Sequence, residues 1–251
     1  DGVGEIVGAA HEAEEATVRG KVRLAGEGAP GHTGARLVHE LPGVRLLADR
    51  LCPLKNRGRA DVNFVVFREN TEGVYVSVGG RFKAGTEDEV AIQEEINTYK
   101  GVERICRAAF EWAVANGKKK VLMADKSNVM RYGHDLWQRV FFGLAKEFPS
   151  IAASHMFVDA LCMQMVRAPE QFEVIVTNNL FGDIITDLGG ALQGGLGMAA
   201  SANIHPGRTS LFEPVHGSAP RYAGKNIANP IGAILSAALM LETLGWRSEA
   251  A

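Results

Sequence analysis

Asp183 and Asp187 stand one helical turn apart in Gly182-Asp-Ile-Ile-Thr-Asp187, so on a helix both carboxylates project from one face. The residues beside them include no Lys or Arg to offset their repulsion. A hard divalent cation with oxygen ligands would offset it, and magnesium or manganese is the natural candidate. The plainer reading of an Asp-x-x-x-Asp pair is a solvated helix face. Against that stands the context, because an apolar run ending at Thr177 and a loop from Asn178 to Gly182 precede the pair. In open α/β sheets ligands bind at the carboxyl ends of strands.

Other residues carry chemistry in similar settings. Asp159 lies between Met156-Phe157-Val158 and Ala160-Leu161, and a lone charge in an apolar strand-like run needs a partner. It either completes a metal site or caps the next helix. Lys126, in Asp125-Lys-Ser-Asn128, follows the apolar run Val121 to Ala124. Near a cation its pKa would fall and it could act as a base; an ordinary loop lysine is the alternative. Tyr75 offers a phenolic proton or simply packs. Arg68 ends another apolar run, where its guanidinium could hold an anion in a fork.

The stretch Phe212-Glu-Pro-Val-His-Gly-Ser-Ala-Pro220, continued by Ala223-Gly-Lys-Asn-Ile-Ala-Asn-Pro230, suits a nucleotide. Gly217 and Gly224 permit close backbone approach, and the loop runs into a helix whose N-terminus favours negative charge. The usual dinucleotide fingerprint is missing. Its nearest imitation, Gly195-Leu-Gly197-Met-Ala-Ala200, follows a helical segment rather than a strand, which argues against an ordinary Rossmann site.

The elements that must position these residues alternate. Strands are expected over Val62 to Phe67, Val121 to Ala124 and Phe172 to Thr177. Helices are expected over Glu103 to Asn116, closed by Gly117, and over Gly133 to Phe148, Gly182 to Leu192 and Ile231 to Leu244, closed by Gly245. Such alternation implies an α/β protein with a largely parallel sheet core. Asp1 to Gly43 alternates Gly, Glu, Ala and Pro, and no strand is expected there.

With 251 residues the chain can bury a sizeable core. Its 27 basic and 29 acidic side chains nearly cancel, so neither a nucleic-acid nor a membrane-surface partner is expected. No basic stretch leading into an apolar segment opens the sequence, and no apolar run reaches ~18 residues. Cys52, Cys106 and Cys162 are widely spaced without a CxxC pair, which fits reduced thiols in a cytoplasmic protein.

Taken together, these strings resemble the isocitrate/3-isopropylmalate dehydrogenase family from Arg50 to about Gly245. The resemblance is carried by Arg68-Glu-Asn-Thr-Glu-Gly-Val-Tyr75, Asp125-Lys-Ser-Asn128, Val158-Asp-Ala160, Gly182-Asp183 with Asp187, and His216-Gly-Ser-Ala-Pro220 with Asn229-Pro230. It implies a two-domain α/β fold distinct from the standard Rossmann arrangement, and a homodimer with shared active sites. Residues 1–251 would form one such unit, incomplete at both ends. Residues 1–60 with 180–251 would lie on the cofactor side, and 61–179 on the dimer and substrate side. The resemblance also implies roles. Asp159, reaching in from the partner, would bind the divalent metal with Asp183 and Asp187. Lys126, also from the partner, would help remove the substrate hydroxyl proton beside Asn128, and Tyr75 would protonate the enol left after carbon dioxide departs. Arg68 and Arg50 would hold substrate carboxylates. His216, Gly217, Ser218, Ala219 and Asn229 would line the adenosine site.

Three departures accompany the likeness. Leu41-Pro42 lacks the arginine that family members carry before that proline, the helix that selects the substrate is not identifiable, and the chain stops soon after Gly245. The strings divide between isocitrate-, isopropylmalate- and tartrate-like patterns; 3-isopropylmalate is the expected substrate, with isocitrate, homoisocitrate and tartrate as alternatives. Arg221-Tyr222 stands where NAD-preferring relatives carry an aspartate. An arginine there would pair with a 2′-phosphate, so NADP is expected ahead of NAD. A non-catalytic regulatory subunit is the rival of another class, disfavoured by the retention of Tyr75, Lys126 and all three aspartates. A generic hydrolase finds no GxSxG or HExxH here.

Overall fold

Phe64, Val65, Val66 and Phe67 are buried in succession, as are Val121 to Asp125 and Val174 to Thr177. Strands covered on both faces read as such unbroken apolar runs. The computed structural model describes residues 39–40, 43–205 and 209–250. In chain order it contains β1 (His39–Glu40), β2 (Gly43–Arg45), β3 (Asn63–Glu69), β4 (Gly79–Phe82), β5 (Val90–Gln93), α1 (Tyr99–Ala115), β6 (Lys120–Asp125) and α2 (Arg131–Ala145). There follow β7 (Ala152–Phe157), α3 (Val158–Arg167), β8 (Val174–Thr177), α4 (Asn179–Leu192), β9 (Ala200–Ile204), β10 (Leu211–Pro214), α5 (Ile231–Thr243) and α6 (Arg247–Ala250).

Among the described residues eight strands form one sheet in the order β10-β9-β1-β3-β8-β6-β7, with β2 also on β3. The strands β3, β8, β6 and β7 run parallel; β1, β2, β9 and β10 are added antiparallel. Alternate residues feed two cores. Val65, Phe67, Val121, Met123, Val174 and Val176 pack with Ile105 and Phe110 of α1 and with Trp137 and Phe141 of α2. Phe64, Val66, Leu122, Ala124 and Ile175 pack on the other face with Leu161 and Met165 of α3 and Ile185 of α4. This period-two division sandwiches the sheet between helices. The α/β fold with a parallel core is the one expected. No helix among the described residues is long and apolar enough to cross a membrane.

The expected elements are present with shifted ends. Helix α1 starts at Tyr99, four residues before the apolar periodicity begins, because Thr98 caps it: its side chain accepts from Gly101 N–H at 3.0 Å. Glu72 in turn accepts from Thr98 N–H at 2.7 Å, a tertiary contact no local pattern reveals. Gly117 closes the helix at φ +66° as expected. Helix α2 ends at Ala145 rather than Phe148. The strand-like surroundings of Asp159 divide into β7 and the first turn of α3. Where no strand was expected before Gly43, β1 pairs with both β3 and β9; residues 1–38, covered by the same expectation, lie outside the described residues, as do Leu41 and Pro42.

At the end of β3, Glu69 is almost wholly buried and accepts from Arg104 Nη2 at 2.9 Å, with side-chain exposures of 3% and 10%. It also accepts from Thr71 N–H and Glu72 N–H, and so folds the polar turn after Arg68 around itself. Removing one partner of a buried pair leaves an uncompensated charge. Arg104→Met is expected to destabilise the fold by about 3–5 kcal/mol, and adding Glu69→Gln should recover much of that loss. Urea denaturation of the two variants measures both effects.

Candidate active site

The register of the parallel strands sets Arg68 opposite Thr177, Thr177 opposite Ala124, and Asp125 opposite Phe157. The carboxyl ends of β3, β8, β6 and β7 therefore form one row. The segments leaving that row carry Tyr75, Asn178 and Asn179, Lys126, and Asp159.

The aliphatic part of Arg68 lies against Gly182, where an added Cβ would come within 2.4 Å of its Cγ. Only glycine lets the guanidinium cross the start of α4. There Nε and Nη2 donate to Asn179 Oδ1 at 3.0 and 2.8 Å, and Nη1 donates to Asp183 Oδ1 at 2.8 Å. The Tyr75 ring, on a short turn after β3, lies 5.5 Å from the Arg68 guanidinium carbon. Burial and then the Asp183 charge raise the Tyr75 phenol above its ordinary pKa, outweighing Arg68, so the phenol keeps its proton at neutral pH. Asp183 and Asp187 do lie one turn apart on a helix, and both line a depression of about 290 Å³ with Arg68, Thr186, Ser201, Asn203, Glu213 and Gly217. The acids and the start of the proposed nucleotide loop thus share one wall. A larger depression, about 830 Å³, is lined by Arg45, Asp49, Arg57 and Arg59 toward the opposite end of β3 and holds none of these groups.

A second group forms at the ends of β6 and β7. Lys126 Nζ donates to Asp159 Oδ1 at 2.5 Å and lies 5.5 Å from the centre of the Phe157 ring. The hydrogen bond from Lys126 is the main cause that holds the Asp159 carboxyl below its usual range. The loop is fastened from beneath. Buried Asp125 accepts from His155 Nε2 at 2.7 Å, Ser127 N–H at 3.1 Å and Gln138 Nε2 at 2.9 Å. Asn128 is exposed on the same loop.

The two groups do not merge within one chain. Among the described residues no cluster of three or more His, Cys, Asp or Glu side chains could hold a metal. Asp183 and Asp187 supply two carboxylates on one helix face, the donor chemistry a hard cation takes, and Asp159 is with Lys126 instead. Arg50 is exposed on the turn Asp49–Leu51 and is not among the residues lining the smaller depression.

The proposed nucleotide loop leaves β10 and returns at α5. His216 Nδ1 donates to Gly217 O at 2.6 Å, and Ser218 is exposed. Gly217, Ala219, Gly224 and Asn226 take positive φ. Nothing lies within 4 Å of a Cβ built on Gly217 or Gly224, so a ligand has room to approach the backbone. Arg221 and Tyr222 are exposed on the turn Pro220–Tyr222, with Lys225 Nζ 6.0 Å from the Tyr222 ring centre. Asn229 Oδ1 accepts from Ile231 N–H at 3.0 Å and so fixes the entry to α5. Gly195 to Ala200 runs through a 3-10 turn, Leu196–Met198, into the start of β9, without the strand–turn–helix of a Rossmann site.

Sequence reasoning missed the groups beneath these loops: Asp125 with His155 and Gln138, and Glu95 with His134 and Asn178. One signal was present. His134 lies in register with Trp137, Phe141 and Leu144 on the apolar face of α2, and a histidine at such a position is fully buried only with hydrogen-bond partners.

The family model described as isocitrate/isopropylmalate dehydrogenase matches residues 41–251. Over 196 residues, 77% of this chain, the sequence is 50% identical to a 3-isopropylmalate dehydrogenase of Streptomyces griseus. Over 204 residues, 80% of the chain, it is 49% identical to a D-malate dehydrogenase [decarboxylating] of Escherichia coli. The chain spans 56% of the length of each of these relatives. An isocitrate dehydrogenase crystal structure from Methylococcus capsulatus superposes with a TM-score of 0.78 at 37% identity, over 91% of this chain and 68% of that one.

Because Lys126 is the main cause of the low Asp159 pKa, Lys126→Met is expected to return that carboxyl toward the ordinary aspartate range. Side-chain carboxyl NMR over an acid titration measures the rise; an unchanged midpoint would show that the ion pair does not form in solution.

Proposed function

The chain belongs to the isocitrate/isopropylmalate dehydrogenase family, and from that premise we propose that the whole protein oxidatively decarboxylates a malate-type 2-hydroxy acid, using a nicotinamide cofactor and a divalent metal. The observation that carries this reading is the division of the chemistry into two complementary halves. One holds Arg68, Tyr75, Asp183 and Asp187, and the other holds Lys126 and Asp159. A homodimer that sets one half of each chain against the other half of its partner completes both sites.

In that assembly Asp183 and Asp187, with Asp159 of the partner subunit, would hold magnesium or manganese. When bound, the cation supplies Lewis-acid stabilisation of negative charge on the substrate oxygen. The Arg68 guanidinium, already aimed over the depression by Asn179, holds a substrate carboxylate. Lys126 of the partner subunit would take the hydroxyl proton, and a nicotinamide held by the loop from His216 would supply the hydride acceptor for C2. Carbon dioxide then leaves, and the Tyr75 phenol delivers a proton to the resulting enol. His216 to Ala219 and Asn229 would cradle the adenosine, with Arg50 and Asn128 as further substrate contacts.

Several features support the dimer. The β4–β5 hairpin presents Phe82, Val90 and Ile92 to solvent, and α3, which carries Asp159 in its first turn, exposes Met163 and Val166. The parallel strands all lie within 61–179, and the antiparallel additions within 1–60 and 180–251. We therefore place the boundary between the dimer side and the cofactor side along the β1–β3 seam. The three cysteines are free, which suits a cytoplasmic setting.

We propose 3-isopropylmalate as substrate. D-malate is the second reading, favoured by the near-equal identity to the Escherichia coli relative. Nicotinamide reduction with 3-isopropylmalate, D-malate, isocitrate, homoisocitrate and tartrate, with and without a chelator, tests the reaction and its metal dependence together. A folded dimer that binds manganese yet oxidises none of them would be a regulatory subunit instead. Shared sites have their own readout. Asp159→Asn and Asp183→Asn homodimers should each be inactive, and subunit exchange between them should restore about a quarter of wild-type activity, since half the dimers then carry one intact site. For the cofactor, NADP is expected ahead of NAD, and Arg221→Asp should shift the kcat/KM ratio toward NAD by roughly tenfold or more, the equivalent of one lost ionic hydrogen bond.

A further inference from the structure

Directly beneath Lys126 lies a fully buried histidine that the proposed chemistry does not use. His134 Nδ1 accepts the backbone N–H of Lys126 at 2.7 Å. A backbone amide can only donate, so Nδ1 carries no proton and the neutral ring must carry its hydrogen on Nε2. That N–H faces Glu95 Oε1, with Nε2 and Oε1 3.4 Å apart. Asn178 Nδ2, 3.2 Å from His134 Nε2, donates to the same Glu95 oxygen at 2.7 Å. The amide orientation of Asn178 is fixed as well, because its Oδ1 accepts from Phe181 N–H at 2.9 Å and caps α4. The directions of the Lys126–His134, His134–Glu95 and Asn178–Glu95 contacts are therefore determined. This buried chain runs from the Lys126 backbone through His134 and Glu95 to the N-terminus of the helix bearing Asp183 and Asp187.

We propose that His134 is a positioning residue: locked by Glu95 in the tautomer whose Nδ1 accepts, it sets the height of the Lys126 loop above the sheet and ties that loop to the cap of α4. The proposal rests on reading Lys126 as the base that serves the partner's site. Under that reading one buried cluster holds a group of each active centre of the dimer, Lys126 for one and the metal-binding helix for the other.

Asparagine and glutamine separate the two nitrogens of the imidazole. His134→Asn keeps an acceptor near Nδ1, and His134→Gln keeps a donor near Nε2 but offers Lys126 nothing. In the dimer, His134→Gln is expected to lower kcat by roughly 10- to 100-fold, with the KM for the hydroxy acid and the manganese affinity within about twofold. His134→Asn should return kcat to within a few-fold of wild type. Hydrogen exchange at the Lys126 amide supplies a readout free of turnover: protection should fall by about tenfold or more in His134→Gln and persist in His134→Asn. Glu95→Ala, which frees the tautomer, should also speed that exchange. Equal loss of kcat in both histidine variants, in step with loss of thermal stability, would overturn the proposal, as would unchanged Lys126 exchange in His134→Gln and Glu95→Ala. If the wild type oxidises no hydroxy acid, the reading of Lys126 as a base fails, while the exchange measurements still decide the link.

Discussion

The arrangement depends on the parallel register of β3, β8 and β6. Arg68, Thr177 and Ala124 are neighbours across three strands, and each strand ends within a residue of that row. Parallel strands emerge from a sheet on one side together, so all their following segments must start there. Sliding one strand by a single residue would move its apolar set to the wrong core. Burial on both faces therefore fixes the chemistry as firmly as it fixes the fold: Phe67 and Val176 cannot leave the core with Ile105 and Phe110 without moving Arg68 and the cap of α4.

Around this row the chain buries polar and charged groups, and each answers to a partner. Asp125 is held by three donors, Glu69 by Arg104 and two backbone amides, and His134 by Lys126 and Glu95. In a low-dielectric interior such groups are costly alone and rigid when satisfied. All of them lie under the loops rather than in the depression. Their work is to hold Arg68, Lys126 and the start of α4 still, so that the exposed acids and bases above need no fixed shell of their own.

Much of this was legible in the sequence, for reasons that differ by residue. Arg68 and Lys126 stand at the ends of unbroken apolar runs, and Asp183 follows another after a short loop, so a strand end with charged groups after it could be inferred from the local sequence. The helical spacing of Asp183 and Asp187 likewise needed only local periodicity. The start of α1 was not legible, because Thr98 is fastened by Glu72 from a distant turn. Asp159 looked embedded in a strand because Phe157 and Val158 are both apolar, although the chain changes from β7 to α3 between them. Glu95 and Asn178 gave no signal either, since their meaning exists only once β8 and the segment after β5 come together.

The two halves of the proposed site also explain how a single chain tolerates them. Two of the three acids assigned to the cation have an internal positive partner: Asp183 pairs with Arg68, and Asp159 with Lys126. The acids remain 48% and 66% exposed, and ion pairs open to water contribute little stability. Such pairs neutralise the isolated halves yet give way easily to stronger partners. Under the proposed function a substrate carboxylate would replace Asp183 at Arg68 and a cation would replace Arg68 at Asp183, so both charges would exchange one partner for another. The same exchange at Asp159 needs Asp159 and Lys126 to stay movable at their tips while their backbones are held. On the Lys126 side the backbone is held, its amide anchored on a buried imidazole, while its ammonium meets the largely exposed Asp159 carboxylate.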